Sequence, residues 1–310
     1  MKYSVKSPHT TIIDAKFFLL CNKFTSFLIS TSLFLAINGS LKLLFSCLLF
    51  NTFTLNIILA IFLVTYGVYG LNKLTDIKED TINAPERARI LKKIEPVFKL
   101  SLLFSFILSL LLGFLVNVLT MPILLLPLFS GTIYSMKFSK NLPRLKDILG
   151  VKNMTIALTW AVIMALLPAF CLVEKEIRLI ISIFYFFFLK SLVNTILFDV
   201  RDIEGDRISG VRTIPVVFGK QKTKNLLLIL NSTLMPWLAF SYHSGFFHHY
   251  LLVLIFAIAY GYWYILHFCK LEKIGESLDL LVDGEWIPVG ILATAVTLFC
   301  THRLSFSCNF

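Results

Sequence analysis

Residues 179–198 read LIISIFYFFFLKSLVNTILF, a run of twenty residues in which Lys190 carries the only charge. A helix of about 20 residues is roughly 30 Å long, which matches the hydrocarbon core of a bilayer. This stretch therefore predicts a membrane-spanning helix. The run ends at Asp199, and the residues after it are strongly charged. We expect this helix to leave the membrane beside a group of carboxylates.

The whole chain has the composition of an integral membrane protein. Of its 310 residues, 57% are hydrophobic and 15% are charged, and the 30 Phe residues outnumber Lys and Arg together. A soluble protein of this size would cover its surface with charge. Nine candidate spans follow from the apolar runs, at residues 17–37, 52–71, 96–118, 121–138, 153–173, 179–198, 226–242, 250–268 and 287–304. The predicted fold is an all-α membrane bundle of about nine transmembrane helices, forming one domain over residues 1–310.

The basic residues are distributed unevenly between the loops on the two sides of the membrane. The N-terminal tail and the loops after the even-numbered predicted helices hold 22 Lys and Arg residues, when Lys137 at the end of the fourth span is counted with the loop that follows it. The opposite loops hold four, which are Lys42, Lys175, Arg178 and Arg303. Because cytoplasmic loops are enriched in Lys and Arg, we expect a cytoplasmic N-terminus. The net charge of +11 is spread over these loops and forms no single basic stripe, so nucleic acid is not expected as a partner.

A first row of polar side chains follows the second predicted helix. Asn72, Asp76 and Asp80 are spaced i, i+4 and i+8, so a continuous helix would place them on one face. Like charges one turn apart repel each other, unless a cation lies over them. Carboxylate and amide oxygens suit Mg²⁺, which is commonly shared with substrate phosphates. The alternative for this row alone is a solvated helix end, since Lys73 and Lys78 are also present.

A second row follows the sixth predicted helix and favours the metal interpretation. Asp199, Asp202 and Asp206 are spaced i, i+3 and i+7, with Asn194 a little over one turn earlier. By the charge count both rows lie on the cytoplasmic side, where they can face each other across one cavity. Two Mg²⁺ ions between the rows would neutralise a diphosphate and stabilise it as a leaving group.

Both rows resemble motifs of a known family. NKLTDIKED at residues 72–80 resembles the first aspartate-rich motif of the UbiA superfamily of intramembrane prenyltransferases. DVRDIEGDR at 199–207, followed by RTIPVVFGK at 212–220, resembles the second. The resemblance implies a bundle around a central cavity that opens to the cytoplasm. It also implies Mg²⁺-dependent transfer of a prenyl group from a prenyl diphosphate to a lipophilic acceptor, which is aromatic or lipid-like.

The resemblance implies roles for individual residues. The catalytic aspartates would be Asp76, Asp80, Asp202 and Asp206. The metal ligands would be Asn72, Asp76, Asp80, Asp199, Asp202 and Asp206. Two departures concern the acceptor: the Arg-Pro pair that often opens the first helix of relatives is absent, and Phe198 stands where many relatives have Lys.

Several further side chains are candidates for substrate binding. Tyr134 and Lys137 resemble the family's Tyr-rich basic segment, and with Arg87 they would bind the diphosphate; the alternative for such cations is that they only set topology. Lys190 and Asn194 are four residues apart within the sixth apolar run. An ionisable residue at membrane depth is costly, which favours a position facing the cavity. For Lys190 the alternative is that its side chain reaches the membrane surface.

Two other functions compete with the prenyltransferase. A UbiA-type terpene cyclase would ionise the same diphosphate and capture the carbocation within the same chain. A transporter would place acidic residues near the middle of the bilayer, whereas these rows lie at helix ends beside basic loops. The expected partners are a prenyl diphosphate, a lipophilic acceptor and membrane lipid, with no obligate protein partner evident. We expect a multi-pass protein of a prokaryotic cell membrane, and residues 278–288, LDLLVDGEWIP, receive no role.

Overall fold

The computed structural model describes residues 24–75, 85–135, 148–208, 210–275 and 277–307, and gives the backbone alone for 85–87, 132–135 and 301–307. The regular secondary structure of this part of the chain is helical, which confirms the all-α class. The α-helices in chain order are α1 (Phe24–Ser30), α2 (Leu33–Leu49), α3 (Leu55–Thr75), α4 (Pro85–Phe114), α5 (Thr120–Ser135), α6 (Val151–Ala169), α7 (Ile177–Arg201), α8 (Ile203–Ile208), α9 (Ile214–Phe218), α10 (Lys220–Ser232), α11 (Leu234–His243), α12 (Leu251–Phe268), α13 (Ser277–Val282) and α14 (Trp286–Ser307). Single 3-10 turns at His248–Tyr250 and Asp283–Glu285 precede α12 and α14.

Six helical segments of the described chain are long and apolar enough to cross a membrane. They are Leu55–Thr75, Ala88–Phe114, Val151–Ala169, Ile177–Arg201, His248–Phe268 and Ser277–Cys300. A seventh qualifies if α1 and α2 are counted as one bent span, and Thr120–Gly131 is a shorter apolar helix. A multi-pass helical bundle is therefore confirmed, while the count of nine spans stays a prediction.

Two predicted spans differ from the structure because the backbone is interrupted inside them. Within residues 17–37, α1 and α2 meet at an angle of 74°, and Ser32 has a left-handed backbone with φ of 65°. Within residues 226–242, the chain forms two helices that meet at Thr233. Pro236 explains the second break, since it has no N–H to donate to the carbonyl oxygen of Ser232. An apolar run predicts burial in the membrane, but it does not reveal such breaks.

Helix α7 lies at the centre of the bundle, where it packs against α6, α10, α11 and α12. Phe186 and Phe187 on α7 are fully buried, and their ring centroids lie 5.2 Å apart. Phe187 also packs on Trp286 of α14, with centroids 5.5 Å apart. These rings form a buried apolar layer that fixes the position of α7 relative to the last helix.

Close packing of α2 on α3 depends on a glycine. An added Cβ at Gly39 would lie 2.8 Å from Oγ1 of Thr65 and 3.3 Å from its Cγ2. The absence of a side chain at Gly39 therefore allows the two helices to approach closely. Since Gly39 and Thr65 both line the cavity described below, this approach also shapes the cavity wall.

Candidate active site

The second aspartate row lies where α7 ends. Asp199 in the last turn of α7 is 1% exposed, and its Oδ2 accepts a hydrogen bond of 2.7 Å from Nδ2 of Asn153. Its Oδ1 lies 3.3 Å from Nζ of Lys152. Both partners belong to α6, so Asp199 joins the beginning of α6 to the end of α7. This carboxylate is buried but paired, as a stable buried charge must be.

The row does not follow one continuous helix. Asp202 has a non-helical backbone with φ of −93° and ψ of 8°, and separates α7 from α8, which carries Asp206. The three aspartates therefore do not belong to one uninterrupted helix, and their position on one shared face at i, i+3 and i+7 stays a prediction. The backbone N–H of Asp206 still donates to the carbonyl oxygen of Asp202, at 2.9 Å, which holds the two residues close together.

Asp206 has the features expected of a metal ligand. Its Oδ2 is buried and has no hydrogen-bond partner among the described residues. Burial raises the pKa of Asp206 above its ordinary value, the neighbouring carboxylate of Asp199 adds to this increase, and Lys152 and the nearby hydroxyl of Thr213 oppose it. A buried carboxylate oxygen without a donor is unfavourable, and a divalent cation would satisfy it. Carboxylate oxygens are the ligand type that Mg²⁺ prefers, so Asp206 fits this ion as one of its ligands.

Asp202 is held by an arginine that also contacts the last span. Arg201 donates from Nε to Oδ1 of Asp202 at 2.8 Å, and from Nη1 to Oδ2 of Asp279 at 3.0 Å. Arg201 thus joins the second aspartate row to the segment that sequence analysis left without a role. The fit with a cation is incomplete within the described residues, where no three His, Cys, Asp or Glu side chains form a metal cluster.

Much of the first row and of the predicted diphosphate contacts lies outside the described residues. Asn72 is half-buried in the last turn of α3, but Asp76, Asp80 and Lys137 are not described. Arg87 and Tyr134 lie on α4 and α5, and their side chains are not described. That the two aspartate rows face each other across one cavity therefore stays a prediction.

A polar cavity of about 80 Å³ lies inside the bundle, before the aspartate end of α7. Its walls come from α2, α3, α6, α7 and the beginning of the last span. The polar side chains that line it are Asn38, Lys42, Thr65, Tyr69, Lys190, Ser191, Asn194, Thr195, Asp283 and Glu285. Polar and ionisable side chains at membrane depth are costly and usually mark a functional site, so this cavity is a candidate for binding part of a substrate.

Lys190 and Asn194 both line this cavity. Lys190 is 2% exposed and its Nζ lies 2.5 Å from Oε1 of Glu285. The same Nζ donates to the carbonyl oxygen of Ala257 at 3.1 Å and to the hydroxyl of Tyr264 at 3.2 Å. Lys190 therefore lies at the cavity wall, as the sequence predicted, and its side chain does not reach the membrane surface. Its burial is tolerated because it is paired with a carboxylate.

Sequence reasoning missed the other charged side chains of the cavity. Lys42 was assigned to an outer loop, but it lies within α2, where Nζ donates to Oγ of Ser191 at 2.7 Å. The ammonium also lies 5.2 Å from the ring centroid of Trp286. Asp283 and Glu285 come from the 3-10 turn before α14. The sequence did contain a signal for these residues. Lys42 is a single Lys among apolar residues, and Asp283 and Glu285 directly precede another apolar run, so such groups can pair at membrane depth.

The fold and the site define a membrane-embedded helical bundle in which an acidic helix end adjoins a polar cavity. Residues 25–278 match the family model of the UbiA prenyltransferase family. The chain therefore belongs to the UbiA prenyltransferase family and is a prenyltransferase.

Individual relatives agree with this assignment. The digeranylgeranylglyceryl phosphate synthase of Methanosphaera stadtmanae is 28% identical over 268 residues, which cover 84% of this chain and 93% of the relative. The synthase of the same name from Sulfolobus acidocaldarius is 29% identical over 217 residues, covering 68% of this chain and 74% of the relative.

Two solved structures share the fold. A UbiA homolog from Archaeoglobus fulgidus bound to GPP and Mg²⁺ has a TM-score of 0.64 at 16% identity, covering 87% of this chain and 99% of the homolog. The structure of a digeranylgeranylglyceryl phosphate synthase has a TM-score of 0.56 at 20% identity, covering 88% of this chain and 97% of that one. At these identities the likeness concerns the fold alone.

Proposed function

We propose that this chain transfers a prenyl group from a prenyl diphosphate to a lipid acceptor within the membrane, with Mg²⁺ as the cofactor. The observation that carries the proposal is the buried Oδ2 of Asp206, which has no hydrogen-bond partner among the described residues and follows the end of α7, the helix whose Asn194 and Thr195 line the cavity. Asp199, Asp202 and Asp206 would hold the metal from one side, with the first row, Asn72, Asp76 and Asp80, on the other. When bound, Mg²⁺ would neutralise the negative charge of the leaving diphosphate.

The chain's own residues bind and orient the two substrates. Arg87, Tyr134 and Lys137 are proposed to donate hydrogen bonds to the diphosphate, since charge-assisted hydrogen bonds to phosphate oxygens are strong. Asn194 and Lys190 belong to the cavity wall, where the prenyl group meets the acceptor. The aromatic and aliphatic walls of the cavity exclude water, which would otherwise capture the carbocation.

The relatives indicate a class of acceptor. Two of them are named digeranylgeranylglyceryl phosphate synthase. We propose for this chain that the donor is geranylgeranyl diphosphate. The acceptor would be a glyceryl phosphate lipid that already carries one prenyl chain and keeps a free hydroxyl. A hydroxyl is a weak nucleophile, so prior ionisation of the allylic diphosphate would make this transfer possible.

Reconstitution with defined substrates tests the proposal. Purified protein in lipid nanodiscs is incubated with geranylgeranyl diphosphate and Mg²⁺, with and without geranylgeranylglyceryl phosphate. We expect the acceptor to switch on diphosphate release and to give the doubly prenylated lipid by mass spectrometry. Conversion of the diphosphate to a cyclic hydrocarbon without acceptor would overturn the transferase and favour the terpene cyclase.

Variants of the second row test the site independently of the acceptor. Asp202→Ala and Asp206→Ala should each lower turnover by about 10³-fold or more while the protein stays folded, and the double variant should be little worse, because the two carboxylates act as a unit. Glu95→Gln is the control, since Glu95 forms only an exposed pair with Lys99. Near-normal activity in both aspartate variants would refute the site.

A further inference from the structure

Two neutral side chains of the cavity have a buried polar atom that no described residue satisfies, while the buried Oε1 of Glu285 has its ion pair with Lys190. Oδ1 of Asn38 and Oγ1 of Thr65 are buried and have no hydrogen-bond partner there, and their side chains belong to residues that are 3% and 2% exposed. Both residues line the cavity. Buried polar atoms are almost always hydrogen-bonded, so these two indicate a ligand. An amide oxygen only accepts, so the ligand must bring a donor such as a hydroxyl.

Asp283 is the carboxylate of the cavity that has no ion-pair partner among the described residues. Its Oδ1 accepts a hydrogen bond of 3.0 Å from Nδ2 of Asn194. No Lys or Arg among the described residues lies within ion-pair distance of Asp283. By contrast, Glu285 is paired with Lys190 at 2.5 Å, and Asp279 with Arg201 at 3.0 Å.

Basic and acidic side chains are equal in number around the cavity. Lys42 and Lys190 line it together with Asp283 and Glu285. Asp283 therefore has as many basic as acidic side chains around it, although none of the basic ones is within ion-pair distance. Asn194 neutralises none of the charge, but it fixes the orientation of the carboxylate by its amide.

The position of Asp283 fits the reacting atoms of the proposed function. Its partner Asn194 precedes Asp199 by five residues on the continuous helix α7. At 1.5 Å per residue this is about 7.5 Å along the helix axis. The diphosphate is proposed to bind at the Asp199 end, and the allylic carbon is bonded directly to a diphosphate oxygen. A hydroxyl that attacks this carbon from within the cavity lies close to Asp283.

We propose that Asp283 accepts the proton of the acceptor's hydroxyl, that Asn194 positions Asp283, and that Asn38 and Thr65 bind the acceptor's hydroxyl-bearing part. The bond between the allylic carbon and the diphosphate oxygen breaks, and diphosphate leaves with the electron pair. The acceptor oxygen forms a new bond to that carbon, and its proton moves to a carboxylate oxygen of Asp283. This inference rests on the proposed function, since it needs a hydroxyl-bearing acceptor.

The first test is Asp283→Asn, because Asn has the same shape and its oxygen can still accept the hydrogen bond from Asn194. We expect kcat for acceptor prenylation to fall by about 10²-fold or more, as for loss of a general base. The KM for the prenyl diphosphate should change by less than about threefold, since the diphosphate site is intact. Glu95→Gln serves as the remote control.

A second measurement separates proton transfer from a structural role. An acceptor analogue with fluorine beside the hydroxyl is more acidic and needs less help from a base. The factor by which Asp283→Asn lowers kcat should therefore be about tenfold or more smaller with this analogue than with the natural acceptor. An equal loss with both acceptors would assign Asp283 a structural role and overturn the inference.

Chemical rescue covers the case in which Asp283→Asn does not fold. Asp283→Ala leaves space for a small carboxylate, and added formate should restore prenylation at least tenfold, whereas chloride should not. Absence of rescue in folded Asp283→Ala argues against proton acceptance.

The proposed function and this inference can fail separately. A wild-type protein without acceptor-dependent turnover refutes the proposed function. An active wild type together with an Asp283→Asn variant whose kcat is within threefold of the wild-type value refutes this inference alone.

Discussion

Lys190 shows how a charge can be stable inside a membrane protein. Its ammonium is 2.5 Å from Glu285, and both side chains are almost fully buried. Lys190→Met should lower the free energy of unfolding by about 3–5 kcal/mol, because Glu285 would remain buried without its ion-pair partner. Unfolding in detergent, followed by circular dichroism, measures this effect.

The double variant Lys190→Met/Glu285→Gln removes both charges and provides the control. It should recover a large part of the lost stability, since the main cost comes from the unpaired carboxylate. A double variant as unstable as Lys190→Met alone would show that the pairing is not what stabilises this region.

Asp206 gives a pH- and metal-dependent prediction. Its raised pKa means that the folded, metal-free protein binds the proton more tightly than the unfolded chain does. Metal-free stability should therefore fall as pH rises from below the ordinary Asp pKa to above the raised one. Asp206→Asn should make this fall smaller and stabilise the metal-free protein at neutral pH. Mg²⁺ should stabilise the wild type but not the variant, as thermal unfolding with EDTA or Mg²⁺ will report.

The residues that sequence could reveal are those whose relation is local. Asp199, Asp202 and Asp206 follow a short spacing, and Lys190 and Asn194 are one helical turn apart. The remaining cavity residues could not be grouped in this way, because they come together only through tertiary packing. Lys42 is 149 residues from its partner Ser191 in the chain, and no spacing rule connects two such positions.

At the scale of elements, hydropathy identified spans but not their interruptions. The runs that became α3, α6 and α7 were recognisable because long apolar runs are needed to cross hydrocarbon. The break at Thr233 depends on one missing N–H at Pro236, and the bend before α2 on the dihedral angles of Ser32. Such features depend on single residues, and they leave the mean hydropathy of a span almost unchanged.

The contact between α2 and α3 yields a prediction about packing. Gly39→Ala places a methyl group 2.8 Å from Oγ1 of Thr65, and should destabilise the protein by about 1–3 kcal/mol. Thr65→Ala removes that hydroxyl, so the double variant Gly39→Ala/Thr65→Ala should regain most of the loss. Unfolding midpoints of the four proteins form a double-mutant cycle. Strictly additive effects would contradict direct contact between the two positions.

At the scale of the whole molecule, the orientation in the membrane is a prediction that labelling can test. In a cysteine-free background, Glu204→Cys on α8 and Lys175→Cys before α7 place single thiols at exposed positions on opposite ends of one span. A membrane-impermeant maleimide added to intact cells should label Lys175→Cys, while Glu204→Cys should react only after lysis. The reverse pattern would place the second aspartate row outside the cell.

The pairing of Lys190 with Glu285 also has a consequence for how the protein is made. The two residues are 95 positions apart in the chain, and a ribosome that adds about 5–20 residues per second needs roughly 5–19 s to cover that interval. During this time the nascent sixth predicted span carries a cation without its partner, at a cost of about 3 kcal/mol in the bilayer centre. We therefore expect the insertion machinery to shelter this segment until Glu285 has been synthesised. A nascent chain arrested at residue 275 should stay crosslinkable to the translocon, and Lys190→Leu should release it earlier into lipid.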